Sequence, residues 1–137
     1  MQNKSMPENI IIPVIDYPDI DEAIKWLTEK FGFKLRLKIG SHRAQLYVQQ
    51  GAAIVVKKNN KNYPDTTNIS IMIRILDINT FYNRIKQSEV NIINELTDYP
   101  FGESQFTIKD YNGYVWTFSE TISDQEPESW GGKFYPT

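Results

Sequence analysis

The sequence contains no cysteine and only one histidine among its 137 residues. The lack of cysteine excludes disulfide bonds, thiolate metal ligands and a thiol nucleophile. With a single imidazole, the chain cannot form any site that needs two histidines, which includes most zinc sites and many small metalloenzyme centres. We therefore expect a metal-poor protein with no bound cofactor.

Strong charge imbalance and long apolar runs are also missing. Fifteen Lys and Arg oppose 17 Asp and Glu, so the net charge of −2 gives no reason to expect nucleic-acid binding. The apolar run at residues 10–15 has six residues and includes a proline, which is too short for a membrane span or an export signal. These absences predict a cytoplasmic protein without nucleic-acid or membrane partners. The length and the 13% aromatic content are typical of one globular domain.

The first half of the chain predicts a strand, a helix and three further strands. The β-branched run at 10–15 is typical of a buried strand. Asp19, with Glu22 three residues later, suits a helix start, and apolar residues then recur at helical spacing until Gly32. Three strand-like segments follow at 34–39, 42–49 and 52–56.

The same order recurs after a polar stretch. The helix-opening pairs Asp19-Ile20 and Asp77-Ile78 lie 58 residues apart, and the turn residues Gly51 and Gly113 lie 62 residues apart. Such a period indicates an internal duplication. The strand candidates of the second half are 69–75, 90–96, 104–109 and 114–119. We predict a single domain with module one at 9–57, a linker at 58–68, module two at 69–120 and a tail at 121–137.

Duplicated βαβββ modules predict an α+β fold. A one-layer sheet with one helix leaves its other face open, so two copies are expected to cover each other. The result would be an eight-stranded cup with the helices outside, whose concave side is the natural place for a ligand.

Two segments resemble a known family. The stretch YPDIDEAIKWLTEKFGFKLR at 17–36 resembles the first-helix signature of glyoxalase/bleomycin-resistance proteins, and YPFGESQFTIKDYNGYVWTFSETI at 99–122 resembles their closing hairpin. The βαβββ order is likewise that of this vicinal-oxygen-chelate superfamily, which includes glyoxalase I, extradiol dioxygenases and fosfomycin-resistance enzymes. The resemblance runs from about residue 10 to 122. The tail EPESWGG resembles that of one branch of uncharacterised bacterial members.

The resemblance also identifies where metal ligands would stand. Metal-dependent members carry His and Glu on the first and last strand of each module. The corresponding positions here are Ile12, Val55, Ser70 or Ile71, and Thr117. None of these side chains is a carboxylate or an imidazole, so the resemblance implies a relative without the family's metal and without a metal cofactor.

Alternation through those positions predicts the residues that line the cup. Thr117 facing inward places Ser119 inward, and Trp116 and Phe118 outward against a helix. The predicted ligand-binding residues are Ile12, Gln45, Tyr47, Val55, Ile71, Phe101, Gln105, Thr107 and Thr117. No catalytic residue is predicted. As the alternative, Tyr47, Phe101 and Trp130 could be core or dimer-contact residues.

Three features keep an alternative open. His42 is interpreted as a surface residue of a turn; its functional alternative is a hydrogen-bond donor or base at the rim of the cup. Glu120 is interpreted as a solvated or tail-anchoring residue rather than a general base. The basic positions Lys34, Arg36 and Lys38 suggest a solvated strand face; if they lined the cup, an anionic ligand would be favoured.

The predicted function is a metal-free protein of the bleomycin-resistance type that sequesters an aromatic or amphipathic small molecule. The alternative is a glyoxalase-like lyase or isomerase that uses His42, Glu120 or Tyr47. The expected partners are the small-molecule ligand and a second copy in a homodimer, in which modules could be exchanged.

Overall fold

The computed structural model describes residues 1–59 and 69–136. They form two compact units, one on each side of the segment 60–68. The first unit contains β1 (Val14–Tyr17), α1 (Ile20–Phe31), β2 (Lys34–Ile39), β3 (Arg43–Gln49) and β4 (Ala52–Lys58). The second contains β5 (Ser70–Arg74), α2 (Ile78–Lys86), β6 (Asn91–Asp98), β7 (Glu103–Lys109) and β8 (Val115–Thr121), followed by a 3₁₀ turn at Pro127–Trp130. The predicted α+β class and duplicated βαβββ order are confirmed.

The first unit is a four-stranded sheet in the order β1-β4-β3-β2 with α1 against one face. The helix begins where the Asp19 carboxylate accepts a hydrogen bond from the Glu22 amide at 3.0 Å. It ends at Gly32, whose left-handed backbone lets the following Phe33 amide donate to the Leu27 carbonyl at 3.3 Å. The sheet face under α1 is apolar and buried, and its residues are Ile15, Tyr17, Ala44, Leu46, Ile54 and Val56.

The second unit repeats this plan in the order β5-β8-β7-β6. Its core beneath α2 is aromatic: the Phe81 ring lies edge-on to Phe118 with centroids 4.7 Å apart, and Tyr82 lies 5.0 Å from Phe106. Trp116 is fully buried in the same layer. Aromatic pairs at these distances add to the stabilisation from apolar burial. Phe118 therefore packs against a helix as predicted, and Trp116 lies on the same face of the sheet.

The first strand begins later than predicted. Ile10 and Ile11 are exposed and lie outside β1, which begins at Val14. Parallel pairing with β4 begins at Val14 opposite Val55, and Pro13 before it has no N–H to donate. The β-branched run predicts a strand, but the partner strand determines where pairing starts.

The predicted linker lies largely outside the described residues. Of the range 58–68, Lys58 is the last residue of β4, and 60–68 are not described. That both modules form a single domain with a shared cup stays a prediction. Within the described ranges, no helix is long and apolar enough to cross a membrane.

Candidate functional site

The face of the second sheet that lies opposite α2 collects several predicted site residues; we call it the second open face. Phe106 and Phe118 contact α2, and strand residues alternate between faces. Gln105 and Thr107 on β7 therefore share the opposite face with Thr117 on β8. The cross-strand pairing of Thr107 with Thr117 agrees with this.

Hydrogen bonds join these side chains across the strands. The Thr107 and Thr117 hydroxyls lie 2.9 Å apart. Gln105 Nε2 donates to Ser119 Oγ at 3.0 Å, and Ser119 Oγ donates to Glu103 Oε1 at 2.8 Å. Since hydroxyls and amides can both donate and accept, this arrangement suits hydrogen bonding to a neutral ligand and offers no strong base.

An ion pair ends this network. Arg74 Nε on β5 lies 3.2 Å from Glu103 Oε1, and the Arg74 guanidinium also donates to the Thr121 hydroxyl. Partial burial of Glu103 acts to raise its pKa. Hydrogen bonds from Thr121 and Ser119, together with the Arg74 charge, outweigh burial and hold the pKa of Glu103 below its ordinary value of 4.5.

Sequence reasoning missed this ion pair. The partners are distant in sequence, and neither stands at a position that the family resemblance identifies. The available signal was the alternation of β5, which places Arg74 on the same face as Ser70 and Met72. Arg74 also lies opposite Ser119, a residue that alternation had already placed on this face.

Ile71 lies on the wrong face for the predicted role. The register pairs Ile71 with Trp116, in the layer covered by α2, whereas Met72 lies beside Thr117 and Ser70 beside Val115. Since a strand alternates every residue, a one-residue difference moves a side chain to the other face. Of the two positions considered, Ser70 is the one on the second open face.

The corresponding face of the first sheet, opposite α1, is the first open face. Gln45 and Tyr47 lie on it, and Gln45 pairs with Val55 on β4. Both Gln45 and Val55 are buried, with 4% and 3% of their surface exposed, whereas Tyr47 is 43% exposed. Ile12 is half-buried and precedes β1.

The basic side chains of β2 do not share one face. A register shift between Leu35 and Leu37 breaks the alternation. Arg36 turns to the first open face, where its Nε donates to the Tyr47 hydroxyl at 2.9 Å. Lys38 instead forms an ion pair with Asp21 of α1, with 2.6 Å between Nζ and Oδ1. The interpretation of these residues as a single solvated face is therefore wrong for Arg36.

The loop between β6 and β7 holds Phe101. Its ring stacks on Tyr99 with centroids 5.3 Å apart and meets the edge of Trp130 at 5.7 Å. Phe101 remains 36% exposed and Trp130 44%. The tail thus packs on this loop, and neither ring is a fully buried core residue. A ligand-binding role for Phe101 stays a prediction.

His42 and Glu120 have structural surroundings that differ from an acid–base site. His42 is exposed in the turn between β2 and β3, as its surface interpretation predicts. The Glu120 carboxylate accepts hydrogen bonds from the Asp77 amide at 2.8 Å and the Ile78 amide at 3.1 Å, at the start of α2. Glu120 therefore anchors a helix, a role that neither of its interpretations included.

The residues at the family's ligand positions do not fit a metal ion. Ile12 and Val55 have hydrocarbon side chains, and Ser70 and Thr117 have only neutral hydroxyls. Divalent metals in this fold class require imidazole or carboxylate donors. In residues 1–59 and 69–136, no group of three His, Asp or Glu side chains is placed to hold a metal.

Comparison with solved structures identifies close relatives of the fold. TioX from Micromonospora sp. ML1 is 25% identical with a TM-score of 0.69, and the match covers 82% of this chain and 98% of TioX. A glyoxalase/bleomycin resistance protein/dioxygenase from Alicyclobacillus acidocaldarius is 19% identical with a TM-score of 0.68, covering 90% of this chain and 96% of that one. The fosfomycin resistance protein FosX from Listeria monocytogenes is 13% identical with a TM-score of 0.69, covering 84% and 94%.

Among curated proteins, none matches the chain significantly. The family model described as Glyoxalase/Bleomycin resistance protein/Dioxygenase superfamily matches residues 13–118, which is most of the sequence and extends from the start of β1 into β8. The chain belongs to the glyoxalase/bleomycin resistance protein/dioxygenase superfamily.

Proposed function

We propose that this protein binds a small aromatic or amphipathic molecule without a metal ion, as a sequestering protein of the bleomycin-resistance type. One observation carries the proposal: on the second open face, a hydrogen-bonded pair of threonine hydroxyls stands where a metal-dependent relative would have a ligand. Thr117 is at the family position, and Thr107 is its partner at 2.9 Å. Such a pair binds by hydrogen bonding and shape, since neither hydroxyl ionises near neutral pH.

The side chains beside the threonines favour an amphipathic ligand. Met72, which lies next to Thr117, is 57% exposed, and its flexible thioether suits contact with aromatic rings. Gln105 adds an amide at the polar side of the same surface. A molecule with one apolar face and a few hydrogen-bonding groups fits this combination, as is usual for small-molecule sites.

The Arg74–Glu103 pair argues against a strongly anionic ligand on this face. Glu103 neutralises the guanidinium at 3.2 Å, and the lowered pKa keeps the carboxylate charged at neutral pH. The pair therefore contributes no net charge, and an added anion would have to displace Glu103 or be repelled by it.

Proteins that share this fold include resistance proteins. FosX is a fosfomycin resistance protein, and a mutant of it has been crystallised with Mn(II) and a dihydroxypropylphosphonic acid. At 13% and 15% identity, the likeness to these structures concerns the fold alone. The proposal for this chain rests on its own side chains, which differ from a metal-binding set.

The test is a thermal-shift screen of the full chain against glycopeptide antibiotics and aromatic metabolites. A ligand that raises the melting temperature is then titrated against Thr117→Val, which removes one hydroxyl and keeps the side-chain shape. We expect about fivefold to tenfold weaker binding, the loss of one hydrogen bond. Thr28→Val is the matched control, since the Thr28 hydroxyl bonds to the Ile24 carbonyl in α1 at 2.8 Å. The proposal fails if no compound shifts the melting temperature, or if both variants bind alike.

Each of the three candidate residues of the enzyme alternative has surroundings that disfavour acid–base catalysis. Glu120 would have to release two backbone amides of α2 to act as a base. The Tyr47 hydroxyl accepts from Arg36, and His42 is exposed with no acidic partner within its turn. No described arrangement favours a lyase or isomerase over the binding role.

A further inference from the structure

A short turn of this chain lies against the first open face, and the Met6 amide closes it by donating to the Asn3 carbonyl at 3.1 Å. We call residues Lys4–Pro7 the strap. The Arg36 guanidinium donates through Nη2 to the Lys4 carbonyl at 2.9 Å and to the Met6 carbonyl at 3.2 Å. Gln45 Nε2 donates to the Ser5 carbonyl between them at 2.8 Å. Three consecutive main-chain carbonyls are thus held by two side chains.

The two donors hold each other in position. Arg36 Nη1 donates to Gln45 Oε1, so the Gln45 amide must present its nitrogen to the strap. Arg36 Nε donates to the Tyr47 hydroxyl at 2.9 Å, which fixes the plane of the guanidinium. Gln45 is only 4% exposed. The donors are therefore oriented by the sheet as well as by the strap, which is how a preorganised binding site is built.

The contacts recognise the main chain rather than particular side chains. Lys4, Ser5 and Met6 are exposed, and the bonds from Arg36 and Gln45 go to carbonyl oxygens. Anchors lie after these residues: Pro7 is buried, and the Asn9 amide donates to the Gly51 carbonyl. Three consecutive carbonyls at a turn of another peptide offer the same acceptors as the strap.

We propose that Arg36 and Gln45 form a recognition site for the main chain of a peptide turn, and that the strap is its occupant within the same chain. A peptide-like ligand reaches the predicted residues Gln45 and Tyr47 only by displacing the strap. This inference rests on the proposed function and deepens it, because it names a ligand class for the first open face. Its contacts belong to the first unit and are independent of Thr117.

The first test is tryptic cleavage after Lys4 in the full-length chain, followed by mass spectrometry of the fragment 1–4. The bond after Lys4 lies between two held carbonyls, so cleavage requires the strap to detach. We expect Gln45→Ala to accelerate cleavage about fivefold, the effect of one hydrogen bond. Gln49→Ala is the matched control, since Gln49 is an exposed glutamine at the end of the same strand.

A second variant keeps the test decisive if Gln45→Ala is unstable. Gln45→Glu preserves the side-chain shape but replaces the donor to the Ser5 carbonyl by an acceptor. It should release the strap more than Gln45→Ala does, while circular dichroism reports an intact fold. Equal cleavage rates in wild type, Gln45→Glu and Gln49→Ala would overturn the proposal.

The third measurement tests the ligand class. A tethered segment competes at an effective concentration of about millimolar, so a free peptide needs similar concentrations to displace it. Millimolar acetyl-Asn-Ala-Ser-Met-Pro-amide includes the counterpart of Asn3, which closes the turn, and trypsin cannot cut it. It should accelerate cleavage after Lys4 in wild type and not in Gln45→Glu. No acceleration would overturn the assignment to peptides. The two proposals can fail separately. If the cleavage rates change as expected but no compound binds in the thermal-shift screen, the proposed function is refuted and this inference stands.

Discussion

At the scale of single residues, Asp110 shows how one buried carboxylate can organise a hairpin. Its Oδ1 accepts from the amides of Asn112 and Tyr114 at 2.9 and 3.0 Å, and its Oδ2 accepts from Trp116 Nε1 at 3.0 Å. Asp110 is 5% exposed. The turn Asp-Tyr-Asn-Gly is thus held by its first residue, as side-chain-to-backbone bonds in Asx turns do.

Replacing Asp110 by Ala should strongly destabilise the protein. The substitution removes the carboxylate that accepts from three N–H groups. Because Trp116 is buried, water cannot take the place of the carboxylate as acceptor for its indole N–H. We expect the free energy of unfolding to fall by about 3 kcal/mol. Urea denaturation measures this change, with Asp98→Ala at an exposed position as the control, for which a change within about 0.5 kcal/mol is expected. Similar losses in both variants would contradict the assigned role.

Glu103 gives a pH dependence with a defined sign. Burial acts to raise its pKa, but hydrogen bonds from Thr121 and Ser119 and the charge of Arg74 lower it below the ordinary value of 4.5. A carboxylate whose pKa is lower in the folded state stabilises the fold above the unfolded-state pKa, and this stabilisation disappears as the pH falls through the folded-state pKa. Wild type should therefore exceed Glu103→Gln in stability at pH 7.

The measurement is the difference in unfolding free energy between wild type and Glu103→Gln across pH 7 to 3. The difference should be constant down to about pH 5 and shrink below 4.5 as Glu103 takes up a proton. Glu95→Gln, on an exposed part of β6, is the matched control. A difference that grows as the pH falls would show that the pKa is raised instead.

At the scale of elements, the N-terminus of α2 is capped by a carboxylate that is distant in sequence. Glu120, at the end of β8, accepts from the amides of Asp77 and Ile78, and the Asp77 side chain accepts from the Thr80 amide at 3.4 Å. Asp77 adopts a left-handed backbone with φ of 55°, which aspartate tolerates better than most residues. Helix capping here joins β8 to α2.

Glu120→Ala should weaken the start of α2. It leaves two amides without their acceptor and removes a negative charge from the helix N-terminus, a combined loss of about 1–2 kcal/mol. Glu120→Gln keeps an acceptor and should lose less. Hydrogen exchange of the α2 amides, compared with those of α1, reports the effect locally. Glu89→Ala, at an exposed position after α2, is the control; uniform protection in all variants would contradict the capping role.

Most elements could be predicted from the sequence because their signals are local. The helix from Ile20 to Phe31 is capped by Asp19 and ends at Gly32, so the residues next to the helix determine both of its ends. The start of β1 could not be predicted, because it depends on pairing with β4 across the sheet. The register shift in β2 likewise depends on β3, and it reversed the face of Lys38 relative to Arg36.

The candidate site was predictable to the extent that it follows alternation. Gln105, Thr107 and Thr117 share a face because period two holds through β7 and β8. The fifth-strand position was located by counting residues from the start of the helix. An error of one residue in that count exchanges Ser70 for Ile71, whose side chain lies on the face covered by α2. The Arg74–Glu103 pair joins distant positions, which no local pattern reports.

At the scale of the whole molecule, the duplication explains why both units offer an open face with a glutamine and a hydroxyl. Gln45 and Gln105 occupy equivalent strands 60 residues apart, yet Gln45 holds the strap and Gln105 donates to Ser119. The two copies have kept the fold and diverged in what they contact. The two faces therefore differ in charge, since the first carries Arg36 and the second a neutralised ion pair.

The distribution of donors over both copies leads to a final prediction about metals. The single histidine is exposed in a turn, and the family's ligand positions Ile12, Val55, Ser70 and Thr117 carry hydroxyl or hydrocarbon groups. In the part of the chain that the structure describes, no three His, Asp or Glu side chains are placed to hold a metal. Metal analysis of the purified chain should give well below one Mn, Fe, Ni or Zn per chain. Added Mn²⁺ should not raise the melting temperature, because an ion that binds only the folded state would stabilise it.

The double variant Thr117→Glu with Ser70→His tests the same point in the opposite direction. It places one carboxylate and one imidazole on neighbouring strands of the second open face. This double variant should show a larger melting-temperature response to Mn²⁺ than wild type. One tightly bound metal per wild-type chain would instead refute both this prediction and the metal-free binding role.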